Sequence, residues 1–283
     1  MKKLCTILLM FSATLTAFSQ ETDTTYWTNG GSFAVNFTQV SFTNWAAGGQ
    51  NSIAGVSKLN LFANYTKDKT SWENVLNLGY GLSKVEGLEL QKNEDIIDLQ
   101  SKLGIKAGKE WFYSGLLTFK SQFAPGYSDA SNITKISNFL APGYLTLAFG
   151  MDYKPDKVFS LVLAPLTGKL TIVNDPDLDG QFGVEPGKTT RMELGASINT
   201  SVKKEIMKNV GMATELGLFS NYLKEPQNID VDWKVAINMK VNDYLTASIN
   251  TQLLYDADIK DPVDGKAKIQ FKELLGVGLT FTF

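Results

Sequence analysis

The stretch IQFKELLGVGLTFTF, residues 269–283, decides the fold. Taken at every second position from Ile269 it gives Ile269, Phe271, Glu273, Leu275, Val277, Leu279, Phe281 and Phe283, apolar at seven of eight places. The intervening set is Gln270, Lys272, Leu274, Gly276, Gly278, Thr280 and Thr282, polar or small at six of seven. Successive side chains of a strand point to opposite faces, so this is a strand period and not a helical one.

The same period recurs upstream. Twelve segments carry it: 32–42, 51–66, 71–84, 95–107, 111–123, 138–153, 158–173, 188–203, 209–222, 229–240, 244–256 and 268–283. Pro165 and Gly168 interrupt the seventh. Strands of soluble proteins run about five or six residues, whereas a tilted membrane strand needs about nine to eleven. The connections alternate, long ones at 43–50, 85–94, 124–137, 174–187, 223–228 and 257–267, short ones at 67–70, 108–110, 154–157, 204–208 and 241–243. Short turns on one side and long loops on the other are the habit of outer-membrane barrels, and an even strand count returns the chain to the side it started from. Tyr65, Trp72, Trp111, Tyr113, Tyr153, Tyr244 and Phe281 fall near the short-turn ends, and Tyr222, Trp233, Tyr255 and Phe271 near the long-loop ends. Two such bands match the aromatic girdles of a membrane barrel. The expected fold is an all-β, closed antiparallel transmembrane barrel of about 12 strands.

Residues 1–19 read as a signal peptide: Lys2 and Lys3 precede an apolar run from Leu4 to Ala17, and Ala17-Phe18-Ser19 sets cleavage before Gln20. The expected division is then a short periplasmic segment at 20–31 and a barrel at 32–283, located in the outer membrane of a Gram-negative cell. Without the leader, Cys5 is gone, and 25 basic residues (27 less Lys2 and Lys3) face 29 acidic ones, a net −4. That balance offers nothing to nucleic acid.

The chain has no histidine. A serine nucleophile with a histidine base is therefore unavailable, and without Cys or His a zinc or iron site is disfavoured. No enzyme is expected, and no resident cofactor. One partial exception is Asp175, Asp177 and Asp179 followed by Gly180, which matches the start of a calcium loop, but Pro186 stands where such a loop places its closing glutamate. Asn44-Trp45-Ala46-Ala47-Gly48-Gly49 has two readings, a ligand-stacking aromatic or a glycine turn with Trp45 anchored at the interface; the second is preferred.

Two resemblances add to this. A last strand ending in an aromatic terminus resembles the C-terminal signal that the barrel-insertion machinery reads in outer-membrane proteins, which implies that machinery as a partner through residues 269–283. The residues around Trp27, Gly30 and Gly31, then Phe37, Gln39, Phe42, Asn44, Trp45, Ala46, Ala47, Gly48 and Gly49, resemble the opening signature of a family of secreted Gram-negative proteins of unknown function expected to be outer-membrane barrels. That resemblance implies location and fold and carries no site residues.

Parity places Glu73, Asp98, Lys102, Lys106, Glu193, Glu215, Asp232, Lys234, Lys240 and Lys272 inside the barrel, five acidic and five basic. A balanced lumen suits a narrow, weakly selective solute channel, since strong selectivity needs one sign of charge to dominate. The alternative is a barrel filled by its own side chains, whose outer loops contact a protein partner, a glycan or lipopolysaccharide. Membrane lipid and lipopolysaccharide are expected neighbours in either case.

Overall fold

The computed structural model describes residues 26–41, 50–128, 131–260 and 265–283. Twelve antiparallel strands close into a barrel. They are β1 (Trp27–Val40), β2 (Ser52–Lys67), β3 (Thr70–Val85), β4 (Gln91–Lys106), β5 (Trp111–Ser121), β8 (Gly143–Tyr153), β9 (Phe159–Ile172), β10 (Thr190–Met207), β11 (Val210–Asn221), β12 (Ile229–Lys240), β13 (Leu245–Tyr255) and β14 (Gln270–Thr282). Each pairs with its neighbour in sequence, and β14 returns to β1. Two short strands, β6 (Gly126–Tyr127) and β7 (Lys135–Ser137), form a separate hairpin in the loop between β5 and β8. No helix among the described residues is long and apolar enough to cross a membrane, which says nothing about strands.

The barrel has the expected class and strand number, with corrections at the edges. The first strand starts at Trp27, not residue 32, so part of the expected periplasmic segment belongs to the wall. Gly30-Gly31, expected ahead of the first strand, lies within the ladder opposite Phe62 and Leu61. The glycines serve close packing: a Cβ on Gly30 would stand 2.9 Å from both the Phe283 carbonyl oxygen and the Phe62 ring. The sixth barrel strand starts at Gly143 and not at 138, because Asn138 and Ala141 exchange backbone hydrogen bonds across a turn. Residues 1–19, the Asn44–Gly49 motif, Asp129 and Asp264 lie outside the described residues.

Pro165 does not break β9. The β9–β10 register shifts between Gly195 and Ser197, and the β8–β9 register shifts between Phe149 and Met151. A proline lacks the N–H a ladder needs, and a bulge is where a strand tolerates one. The shift changes parity: Leu163 and Leu166 both face out, while Val162, Ala164, Thr167 and Thr171 are buried.

Large apolar side chains cover the outside. On β14, Phe271, Leu275, Val277, Leu279 and Phe281 are all exposed, and on β1 so are Phe33, Val35 and Phe37. At the short-turn end aromatic rings touch: Trp27 lies 5.3 Å from Tyr65 and 5.7 Å from Trp72, Trp111 lies 4.9 Å from Tyr153, and Tyr244 lies 6.1 Å from Phe281. Polar tips on this surface find partners within it. Trp72 Nε1 donates to Ser101 Oγ at 2.8 Å, and Trp233 Nε1 donates to Thr214 Oγ1 at 2.9 Å.

Candidate functional site: a lumen crossed by ion pairs

Inward side chains of the strands meet in pairs across the lumen. Lys234 Nζ on β12 lies 2.6 Å from Asp98 Oδ2 on β4. In the strand order five strands separate β12 from β4 on either side, so this bridge spans the barrel. Beside it, Lys120 on β5 reaches Asp232 on β12 at 2.6 Å, and Gln252 Nε2 donates to the other Asp232 oxygen at 2.8 Å. Together they form a belt of two ammonium groups and two carboxylates.

A second cluster lies toward the short turns. Lys102 Nζ sits 2.8 Å from Asp152 and 3.4 Å from Glu73, while Lys154 sits 2.5 Å from Glu73 and 3.3 Å from Asp152. Ser160 donates its hydroxyl to Asp152 and accepts from Lys102, so the buried carboxylate is satisfied on both oxygens. A third cluster lies toward the long loops. Lys169 contacts Asp230 at 2.8 Å, Asp256 at 3.1 Å and Glu193 at 3.8 Å. Arg191 joins Glu193 to Asp258, and Lys224 takes the other Asp258 oxygen. Lys272 on β14 forms a separate bridge to Glu94 on β4 at 2.7 Å. Charges removed from water in this number survive because each has a partner of opposite sign, most with further hydrogen bonds.

Seven of the ten residues expected in the lumen sit in these bridges: Glu73, Asp98, Lys102, Glu193, Asp232, Lys234 and Lys272. Glu215 lines the cavity, with Lys203 at 3.9 Å. Lys106 and Lys240 end β4 and β12 and are exposed there; Lys240 pairs with Asp243 of the adjoining turn. These two belong to the rim. The sequence reading missed Glu94, Lys120, Asp152, Lys154, Lys169, Arg191, Asp230, Asp256 and Asp258. Parity within β5 and β8 signals Lys120 and Asp152. Lys169 was hidden by the bulge at Pro165, beyond which odd positions turn inward.

Between the bridges lies a cavity of about 530 Å³. Its wall mixes apolar Leu116, Val162 and Leu254 with the charged Lys102, Asp232 and Lys234. Phe182 and Ile259, from two long loops, also line it. The loop at 173–189 packs on its own small core, in which Ala141 and Leu178 are fully buried with Val173 and Val184, and Phe182 rests against them.

That loop holds the calcium-like residues. Asp175 Oδ1 accepts from the Asp177 N–H and caps the short 3₁₀ turn Pro176–Leu178. Asp175 and Asp177 both hold the Lys135 ammonium, at 3.1 and 2.5 Å, and Asn138 donates to Asp175 at 2.7 Å. Asp179 turns away to accept the Gly187 N–H. An ammonium thus occupies the position where the partial pattern expected a metal, and no three His, Cys, Asp or Glu side chains among the described residues converge as a metal site. The Asn138 amide first, then the Asp177 N–H and Lys135, hold the Asp175 carboxyl below its usual pKa. Asp177 and then Asp175 raise that of Lys135.

A family described as a protein of unknown function, DUF3078, matches residues 37–127, less than half of the chain. No curated protein matches it by sequence. Among solved structures the chain is similar to the NanC porin, with 8% identity and a TM-score of 0.41 over 90% of this chain and 100% of that one. It is also similar to the translocator domain of the autotransporter NalP from Neisseria meningitidis, at 11% identity and a TM-score of 0.33 over 100% and 95% of the two chains. A third is OmpT, an outer membrane protein of Vibrio cholerae, at 7% identity and a TM-score of 0.32 over 94% and 100%. The barrel itself is defined by this chain's own strand order and register.

Proposed function

We propose that the protein is a non-enzymatic outer-membrane barrel whose lumen is a constricted, weakly selective path for small ions and solutes. In this reading a signal peptide is cut near Ser19, residues 269–283 engage the insertion machinery, and the long loops face outward. An apolar exterior over long strands with aromatic contacts at one end suits a bilayer, because only a closed barrel satisfies strand hydrogen bonds in hydrocarbon. The observation that carries the functional reading is the pair of bridges across the barrel, Lys234–Asp98 and Lys120–Asp232, beside a cavity of about 530 Å³. Twelve strands enclose more space than the eight-stranded case that side chains just fill, and these bridges narrow it. The absence of histidine from the sequence argues against a serine–histidine hydrolase.

Planar-bilayer recording tests this. The wild-type barrel gives small conductance with little ion preference. Removing the belt with Asp98→Asn, Lys234→Gln, Lys120→Gln and Asp232→Asn raises conductance several-fold. Lys102→Gln with Lys272→Gln shifts selectivity toward cations. Silence from wild type and belt variant alike refutes the channel and favours a plugged, surface-binding barrel, the second reading that the self-packed loop around Leu178 supports.

A further inference from the structure

The barrel closes on a short seam. β1 pairs with β14 over five rungs, Ser32–Asn36 against Gly278–Thr282, and Gly31 and Phe283 exchange backbone hydrogen bonds as a sixth. Every other neighbouring pair in the wall has ten rungs or more. Neither strand ends where the seam does. β1 continues on β2 as far as Val40, and β14 is paired with β13 from Gln270 onward. Among the described residues the edges of Phe37–Val40 and Leu274–Val277 therefore face each other without a shared ladder, on the long-loop half.

The last rungs are closely packed. Asn36 lies over Gly276 and Gly278: a Cβ on Gly276 would stand 3.3 Å from Asn36 Cβ, and one on Gly278 would collide with the Val35 carbonyl oxygen. Beyond them the seam opens, with Phe37, Phe271, Leu275 and Val277 exposed along its outer flank. Backbone left unpaired at membrane depth is tolerated where it lines a cavity. Here the cavity of about 530 Å³ reaches β14 at Gln270 and β13 at Leu254. That volume lies within the range of about 300–1,000 Å³ usual for small ligands. Behind the seam, Lys272 bridges Glu94, and Lys58 stands within electrostatic range of both. Two lysines thus stand near one carboxylate, which Lys272 bridges.

We propose that the outer half of the β1–β14 seam is a lateral opening through which a single-chain anionic amphiphile passes between the membrane and the lumen. The acyl chain lies between the apolar flanks, and its acidic head meets Lys58 and Lys272. The proposal rests on the outer-membrane reading but not on conductance, so the two fail separately.

The test uses the full-length protein in lipid vesicles, carrying Cys5→Ser. Extending the register would place Val40 opposite Leu274, in the same ladder phase as Ala34 and Thr280. Paired cysteines at Ala34→Cys/Thr280→Cys oxidise readily, since facing strand positions suit disulfide geometry. Those at Val40→Cys/Leu274→Cys oxidise at least tenfold more slowly. A bimane on Gln270→Cys is then quenched by 12-doxylstearate, at least threefold more than by its methyl ester, and Lys58→Gln with Lys272→Gln removes that difference. Equal oxidation of the two pairs overturns the opening. Quenching of a bimane on outward Leu275→Cys without quenching at Gln270→Cys overturns entry, and equal quenching by acid and ester overturns the anionic preference.

Discussion

Cutting both ends of the bridge across the barrel is expected to cost less than the two single cuts added together. The Asp98 side chain is 4% exposed and that of Lys234 30%. Asp98 Oδ1 has no hydrogen-bond partner among the described residues, so Lys234 is the main offset to a charge held away from bulk water. Removing one member of a buried pair costs about 3–5 kcal/mol, and water in the lumen puts Lys234→Met at the lower end, about 3 kcal/mol. Asp98→Asn removes the charge that needed Lys234, so the double variant loses less than the two single losses added together. The expected coupling energy is about 2 kcal/mol. Urea unfolding in lipid vesicles, followed through the fluorescence of the five tryptophans, measures all four corners of the cycle. A coupling below about 0.5 kcal/mol, the value of independent sites, refutes the claim that this bridge holds opposite walls together.

Other consequences follow from the strand pairing and the loops. Deleting residues 279–283 removes all of the seam pairs but Asn36–Gly278, and the protein is expected to be degraded or left in the periplasm; normal outer-membrane yield counts against the barrel placement. With Cys5 replaced, Asp179→Cys reacts with an impermeant maleimide on whole cells, whereas Asp156→Cys and Asp243→Cys react only after the outer membrane is opened; the reverse pattern inverts the topology. The Asp175 carboxyl has a depressed pKa, so its contribution is present above the unfolded value and is lost as pH falls through the folded one. Amide exchange at Asp177, whose N–H Asp175 accepts, is therefore expected to lose protection on the acid side of the ordinary carboxylate range. Unchanged protection at strongly acidic pH contradicts this.

The wall was legible because one property, a period of two sustained over long segments, determines strand, face and pairing together. It fell short at the start of the first strand. Gly30-Gly31 lacks side chains to show the period, and it lies in the ladder where Phe62 and Phe283 come close. The lumen was legible only by face. Parity says that Lys234 points inward, but nothing in it says that Asp98, on the opposite wall, will meet it. Parity also gives no height, which is why Lys106 and Lys240 at strand ends were grouped with residues of the interior. Lys169, which organises the long-loop cluster, lies beyond a bulge that reverses the alternation. The short seam was not legible at all, since β1 and β14 each alternate to their outer ends whether or not they pair there.

The central claim is that these strands span a bilayer with one face on lipid and the other on an ion-paired lumen. Single bimane labels along β12, read in vesicles of brominated lipid, test it most directly. Alternate positions of β12 bear exposed Ile229 and Trp233 on one face and the bridging Asp230, Asp232 and Lys234 on the other. The account predicts strong quenching at Val231, Trp233, Val235 and Ile237 and weak quenching at Asp230, Asp232 and Lys234. Uniform quenching along the strand, or none at the odd positions, would contradict it.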